Sequence, residues 1–284
     1  MGLLAVEFNP VGEFTDFVHH PYVQLPLGLS INKAVIYLWM SAAITILLTL
    51  ILVRRGLKLR PDGTQTAAEA VYDLVENQIA RGGLPQEGMR IWFPYVATLF
   101  VFIWIMNLIG FIPLPFGDRH FELFGLSIPE FQIYAATANL SVTLTLTLIT
   151  FFATHIEGIR YNGTIKYFKS WMPSGLPAVR PFTLLSPAKM ALIGIIAVIE
   201  VLSQLVRIVS LSFRLFFNLL AGHLVIAVFL GLASLLGTYF IIPIGLPMGV
   251  ALYTLECTLI AGLQAFIFAT LSAIYIGGAI HPDH

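Results

Sequence analysis

The chain has 284 residues, of which 58% are apolar and only 11% are charged, and its mean hydropathy is +0.88. A soluble domain carries about 25% charged residues, so this composition excludes an ordinary soluble fold and indicates a polytopic helical membrane protein. The formal net charge is +0, so the chain has no overall basic charge that would attract a nucleic acid. Its single cysteine, Cys257, can form no intrachain disulfide and belongs to no metal-binding motif.

Apolar and polar stretches alternate along the chain in a way that predicts one membrane domain. Residues 1–30 are of mixed composition and predict a short extramembrane segment, and residues 31–284 predict a single integral membrane domain. Residues 66–81 repeat apolar side chains at helical spacing between polar ones, which favours an amphipathic surface helix over a plain loop helix. The predicted helices lie at about 31–53, 66–81, 92–116, 131–156, 187–236 and 246–278.

The last two predicted helices are too long to cross a membrane upright. At about 1.5 Å per residue they would extend for roughly 75 Å and 50 Å, against a hydrocarbon core of about 30 Å. Each must either break into a hairpin or tilt strongly, and Gly222, the only candidate break near the middle of the first, is followed by no polar turn. The predicted fold class is therefore an all-α membrane protein with five membrane helices and a surface amphipathic helix, the last two membrane helices being long and strongly tilted.

Basic residues are distributed unequally between the two sides of these spans. Only Lys33 and Arg119 fall on one side, and the positive-inside rule therefore places the N-terminus outside and the C-terminus in the cytoplasm. The basic residues on the other side are Arg54, Arg55, Lys58, Arg60, Arg81, Arg90, Arg160, Lys166, Lys169, Arg180 and Lys189.

Three charged residues lie seven positions apart inside the first long helix: Glu200, Arg207 and Arg214. Seven residues return to within about 20° of the start, so they share one face with small and polar neighbours that include Ser203 and Asn218. Glu200 and Arg207 could form an ion pair that is purely structural, or pair with other helices. Arg214 has no acidic residue one turn away, so its partner must come from another helix, from water or from another subunit.

A second group of polar residues lies on another face of the first long helix and on two other predicted helices. His223 lies nine residues after Arg214, half a rotation away, where it is either a proton relay or a hydrogen-bonded core histidine. Glu256, isolated in TLECTLIAGLQAFIF, needs a polar neighbour, and His223 is the best candidate if the two long helices run antiparallel. Asn107 lines the same cavity or bonds to a neighbouring backbone.

Four stretches carry a family resemblance. LSQLVRIVSLSFRLFFNLLAGHLV resembles the most characteristic segment of the a subunit of rotary F-type ATP synthases, and LQAFIFATLSAIYIGGA resembles the C-terminal segment of that family. FPYVATLFVFIWIMNLIGFIP and TANLSVTLTLTLITFF resemble its second and third spans. The similarity extends from about residue 68 to the end of the chain.

The resemblance implies a non-catalytic stator subunit whose two long helices curve around a rotating ring of c subunits. Its implied partners are this c-ring, the peripheral-stalk b subunits, other ATP synthase subunits and membrane lipid, with no cofactor, in a bacterial plasma membrane. Arg214 matches the essential arginine that faces the ring carboxylates. The other matched positions near the arginine or along the aqueous half-channels are Asn218, His223, Gln264, Asn107, Ser203 and Glu200.

Glu256 departs from the family pattern. Many members carry a carboxylate seven residues before the glutamine that corresponds to Gln264, whereas here the separation is eight and Cys257 occupies the usual position. The offset turns Glu256 by nearly a third of a rotation, and only a local bulge would restore its pairing with His223.

Two other classes of protein are compatible with buried charges. A self-contained proton-coupled secondary transporter would enclose a substrate cavity and carry internal repeats, and the sequence has no such repeat. A structural membrane scaffold would use the Glu200, Arg207 and Arg214 face only for ion pairing. No glycine-rich phosphate-binding loop is present, so no nucleotide site is predicted.

Overall fold

A computed structural model describes residues 23–24, 30–54, 56, 58–112, 120–123, 126–129, 135–170, 187–236, 243 and 245–281. Most of the predicted outside segment 1–30 lies outside these residues, as do the predicted end of the second span at 116 and the basic residues Arg55, Arg119 and Arg180.

The described chain is built from nine α-helices, two short hairpins and three tighter or wider helical turns. The strands are β1 (Val23–Gln24), β2 (Ser30–Ile31), β3 (His120–Leu123) and β4 (Leu126–Pro129). The helices are α1 (Lys33–Arg54), α2 (Gly63–Leu74), α3 (Arg81–Gly83), α4 (Gln86–Gly110), α5 (Leu140–Asn162), α6 (Thr164–Ser170), α7 (Pro187–Leu236), α8 (Leu246–Leu255) and α9 (Ala261–Ile280). A 3-10 turn covers Ala136–Ala138, and π turns cover Val75–Ala80 and Glu256–Ile260.

Five of these segments are long and apolar enough to cross a membrane, which confirms the predicted helical membrane fold with five membrane helices. They are Lys33–Leu52, Gln86–Gly110, Leu140–Asn162, Gly194–Ile226 and Leu246–Ile280. The two antiparallel hairpins, β1 with β2 and β3 with β4, lie in stretches that the sequence places outside the membrane, and no strand was predicted there.

Two spans begin and end at residues other than those predicted. Helix α4 begins at Gln86 rather than 92, because the carbonyl of Pro85 accepts hydrogen bonds from the N–H groups of Gly88 and Met89. Residues 135–139, predicted as helix, form the 3-10 turn and an extended Asn139, whose Oδ1 accepts the N–H of Ser141 at 2.9 Å as α5 begins. Helix α5 continues past the predicted end at 156 and ends before Gly163, which has φ +78°.

The first long helix, α7, runs through Gly222 without a break. Its 50 residues extend for about 75 Å at 1.5 Å per residue. One side of α7 is buried at Gln204, Leu211, Leu215 and Leu219, and the opposite side exposes Leu202, Val206, Val209 and Phe217. A helix with one packed side and one exposed apolar side is suited to contact lipid or another membrane protein.

The predicted amphipathic helix is present, but it changes from an α-helix to a π-helix along its length. Helix α2 gives way to the π turn Val75–Ala80 before α3. Val75 and Ile79 are buried, as the spacing predicts, whereas Leu74 is exposed. The ring of Tyr72 packs edge-on against Phe93 of α4 at 5.1 Å, so the surface segment is anchored to the membrane helix that follows it.

The described chain divides into two compact units. The first takes its residues from Met1–Arg55, Val101–Val142 and Leu215–Ala265, and the second from Gly56–Phe100, Thr143–Arg214 and Phe266–His284. The core of the first unit is a cluster of Phe111, Ala135, Leu219 and Ala261.

Close backbone contacts hold the second unit together. A Cβ atom at Gly277 of α9 would overlap the carbonyl oxygen of Gly83, and one at Gly83 would come within 2.8 Å of Ala273. Asn162 at the end of α5 donates to the carbonyl oxygens of Ala279 at 3.0 Å and Ile280 at 3.2 Å. The end of α9 is therefore held by the close backbone contact that the two glycines allow and by hydrogen bonds from the Asn162 amide.

Many hydroxyl groups in the spans donate to the carbonyl four residues earlier in their own helix. In α5 Thr147, Thr150 and Thr154 bond in this way at 2.9, 3.2 and 2.8 Å, and in α1 Ser41 and Thr45 do so at 2.7 Å. These side chains count as polar in the sequence, yet their protons are already shared with the backbone.

Candidate functional site

A buried carboxylate in the first unit lies directly on a glycine. Glu256 is 3% exposed, and its Oε1 packs against Gly222 of α7 so closely that a Cβ atom at that glycine would overlap the carboxylate. Oε1 has no hydrogen-bond partner among the described residues. The sequence singled out Gly222 only as a possible helix break, whereas the structure uses it as the seat of the carboxylate.

The π turn Glu256–Ile260 removes the register offset noted in the sequence. The N–H of Ala261 donates to the carbonyl of Glu256, five residues earlier instead of four. A π turn therefore absorbs one extra residue, which corresponds to about 100° of rotation in a regular helix. As a result Glu256 and Gln264, eight positions apart, are both buried, at 3% and 6% exposure.

His223 follows the glycine that carries the carboxylate. It is half-buried, its ring packs edge-on against Phe111 at 5.4 Å, and its Nε2 is buried without a hydrogen-bond partner in the part of the chain that the structure describes. Tyr253 in turn holds Phe111 in place. The two rings pack edge-on at 5.7 Å, and the hydroxyl of Tyr253 donates to the backbone carbonyl of Phe111. The carboxylate of Glu256 therefore contacts the residue before His223, but the imidazole and the carboxylate make no direct hydrogen bond, so their predicted pairing is not formed.

Asn107 takes the second of the two roles that the sequence left open. It is fully buried, and its Nδ2 donates to the carbonyl of Ala261 at 3.1 Å while its Oδ1 accepts the hydroxyl of Thr137 at 2.9 Å. The amide is therefore bonded to a neighbouring backbone at the end of the π turn. Asn218, also in this unit, is half-buried on α7.

The predicted charged face of α7 belongs to the second unit and does not form an internal ion pair. Arg207 lies over the ring of Tyr275, with 4.3 Å between its guanidinium carbon and the ring centre. Glu200 accepts a hydrogen bond from Gln204 at 3.1 Å. Pairing of Glu200 with Arg207 is therefore wrong as a description of this structure, because each side chain has a nearer partner.

Arg214 differs from Arg207 in its surroundings. It is exposed, as is Ser203 on the same helix, and it makes no ion pair or hydrogen bond with any described residue. A guanidinium on an exposed side of an apolar helix is available to an anion carried by another molecule.

Two polar groups that the fold buries were not predicted from the sequence. Glu157, one residue beyond the predicted helix end at 156, lies inside α5 at 3% exposure, with its Oε2 3.6 Å from Arg160. Thr137, within the predicted span 131–156, donates its hydroxyl to Oδ1 of Asn107 and so orients the amide. The signal for Glu157 was its place three residues before Arg160, which extends the helical pattern beyond the predicted end.

The ionisable groups of the spans are of the types that carry or stabilise charge during proton movement. No group of three metal-ligating side chains occurs among the described residues. A carboxylate and an imidazole can each accept and release a proton, and a permanent cation can stabilise an anion without releasing a proton itself.

These observations define a polytopic α-helical membrane protein with ionisable groups inside its spans. The family model for the ATP synthase A chain matches residues 35–277, and the chain belongs to that family. Among its relatives, ATP synthase subunit a of Rubrobacter xylanophilus is 36% identical over 260 residues, covering 90% of this chain and 87% of the relative. The corresponding subunit of Bradyrhizobium diazoefficiens is 36% identical over 255 residues (87% and 88%), and that of Maricaulis maris is 32% identical over 282 residues (97% and 98%).

Proposed function

We propose that the chain is the proton-translocating stator subunit of a rotary F-type ATP synthase, with two aqueous half-channels and Arg214 facing the carboxylates of a c-ring. The observation that carries the proposal is the environment of Arg214. Its charge stands on an exposed side of a long apolar helix without an ion pair among the described residues. Such a charge is costly in a membrane, so an anion supplied by a second protein accounts for its presence.

The outer half-channel is assigned to the cluster in the first unit. A proton entering from outside passes Glu256 and His223 and neutralises a carboxylate on the rotor. The neutral carboxyl group then travels through lipid, which a charged one would cross only at high cost. Gln264 and Asn218 contribute further polar contacts along this route.

The inner half-channel receives the proton after rotation and includes Glu200 and Ser203. The rotor carboxylate, now charged, passes Arg214 before it is protonated again. Because a guanidinium does not lose its proton, Arg214 separates the two half-channels and stabilises the bare carboxylate. Each charge moved across 100 mV supplies about 2.3 kcal/mol, and several per turn drive ATP formation in another part of the complex. The N-terminus lies outside and the C-terminus in the cytoplasm, and b subunits of the peripheral stalk hold the stator.

Two arginines of α7 provide a matched test. In membrane vesicles that contain the assembled complex, we expect Arg214→Ala to abolish ATP-driven proton pumping. Arg207→Gln should keep most of it, because Arg207 is stacked on Tyr275. Co-purification of the c-ring and the nucleotide-binding head serves as the assembly control. Coupled pumping by an assembled Arg214→Ala complex would refute the proposal.

A further inference from the structure

The π turn that holds Glu256 is joined to a distant side chain at its last residue. Ala261 follows the turn directly, its N–H donates to the carbonyl of Glu256, and its own carbonyl accepts Nδ2 of Asn107 at 3.1 Å. Asn107 and Ala261 are 154 positions apart in the chain. The backbone that places the carboxylate is therefore fixed by a side chain of another helix.

A π turn needs such support because it is a rare form of helix with less favourable hydrogen bonding. Nothing in the local sequence ECTLI, which contains neither proline nor glycine, obliges the helix to widen there. If the turn relaxed to a regular α-helix, Glu256 would rotate by about 100° relative to Gln264 and leave Gly222.

The orientation of Asn107 is fixed as well. Thr137 donates its hydroxyl to Oδ1 at 2.9 Å, which directs the NH₂ group toward Ala261. Asn107 and Thr137 are both fully buried. Both ends of the amide are thus engaged, which is the arrangement of a group that supports a backbone rather than of one that meets a passing proton.

We propose that Asn107, oriented by Thr137, is a positioning residue: it stabilises the π turn Glu256–Ile260 and thereby holds the Glu256 carboxylate against Gly222 and beside His223. The inference rests on the proposed function in one respect, namely that Glu256 takes part in proton transfer. Asn107 acts on that transfer only through the helix that carries Glu256.

The test compares Asn107 variants in a chain with the π turn and in a chain shortened so that no π turn is needed. Deleting Cys257 takes one residue out of the π turn, so that a regular α-helix places Glu256 seven positions before Gln264. In the natural background we expect Asn107→Ala to lower proton flux through the assembled complex by roughly 10- to 100-fold, as a misplacement of about 1 Å can do. In the Cys257-deleted background the same substitution should cost less than about threefold, because the regular helix needs no support.

The ratio between the two backgrounds separates the possible roles. A residue that lines the proton path would lose the same factor in both, and an equal loss therefore overturns the inference. Asn107→Leu is the control of similar volume: it lacks the NH₂ donor, adds no charge and should behave as Asn107→Ala does. A Glu256→Gln variant with unchanged flux would remove the role of Glu256 itself, whereas the wider proposed function is decided separately by Arg214→Ala.

A second comparison applies if the deleted chain does not assemble. Thr137→Val removes the hydroxyl that orients Asn107, and Thr137→Ser keeps it. We expect Thr137→Val to lower proton flux and to accelerate hydrogen–deuterium exchange at the backbone amides of residues 256–261, with Thr137→Ser close to the natural chain in both. Equal flux and equal exchange in the two variants would refute the inference.

Discussion

Gly222→Ala adds one methyl group at the point where the carboxylate of Glu256 rests. The new Cβ would overlap Oε1. Because non-bonded atoms pack at about 3.5–4.0 Å, the carboxylate has to withdraw by roughly 2 Å or more. What moves is the end of a flexible side chain, and the helix backbone can stay in place.

The effects on stability and on function should therefore differ. Alanine favours a helix interior over glycine by about 1 kcal/mol, and an off-rotamer glutamate costs about 0.5–1.5 kcal/mol, so the two contributions nearly cancel. Proton transfer requires groups within hydrogen-bond reach of each other or of a shared water. A displacement of this size can lower the rate of transfer by roughly 100-fold.

The assay compares passive and ATP-driven proton flux in vesicles with the thermal stability of the purified complex. Gly194→Ala is the matched control, since Gly194 lies on the same helix and a Cβ atom there meets nothing within 4 Å. We expect normal assembly in both variants and a large loss of flux only in Gly222→Ala. Flux within twofold of the natural chain, in an assembled Gly222→Ala complex, would refute the proposed seat of the carboxylate.

Two further substitutions test the packing and the imidazole. Gly277→Ala should destabilise the protein by about 1–3 kcal/mol because its Cβ meets the backbone carbonyl of Gly83, which cannot move aside, whereas Gly278→Ala enters open space and should be neutral or slightly stabilising. The midpoints of thermal unfolding in detergent decide this, and equal midpoints would contradict it. His223→Phe keeps an aromatic ring against Phe111 but cannot carry a proton, so assembly should be preserved while proton flux falls at least tenfold. Unchanged flux would assign His223 a structural role only.

The membrane helices could be predicted from the sequence because hydropathy and length act over about 20 residues at a time. Their ends could not, since these depend on single groups such as the Pro85 carbonyl before α4 and the Asn139 side chain before α5. The continuous course of α7 through Gly222 followed from the absence of a polar turn.

The candidate site, too, could be predicted only in part from the sequence. The eight-residue spacing from Glu256 to Gln264 showed that a bulge was needed, because helical rotation is simple arithmetic. The sequence could not show that the π turn forms, because its support comes from Asn107, 154 positions away from Ala261. Likewise Arg207 packs over the ring of Tyr275 and does not pair with Glu200. The sequence could not show this, because the contact depends on how segments distant in the chain pack together.

The hydroxyl groups of the spans have an electrical consequence. Thr147, Thr150 and Thr154 of α5 are each hydrogen-bonded to a carbonyl of the same helix, and Thr150 also shares a hydrogen bond with the hydroxyl of Tyr95. A wire of hydrogen bonds conducts only if every link can give its proton onward, and these links would first have to break a backbone contact. We therefore expect these threonines to carry no proton current, in spite of their polar side chains. A proton current across such a protein would then be confined to the few groups whose proton sites are not bonded to the backbone, and leakage past them would be small.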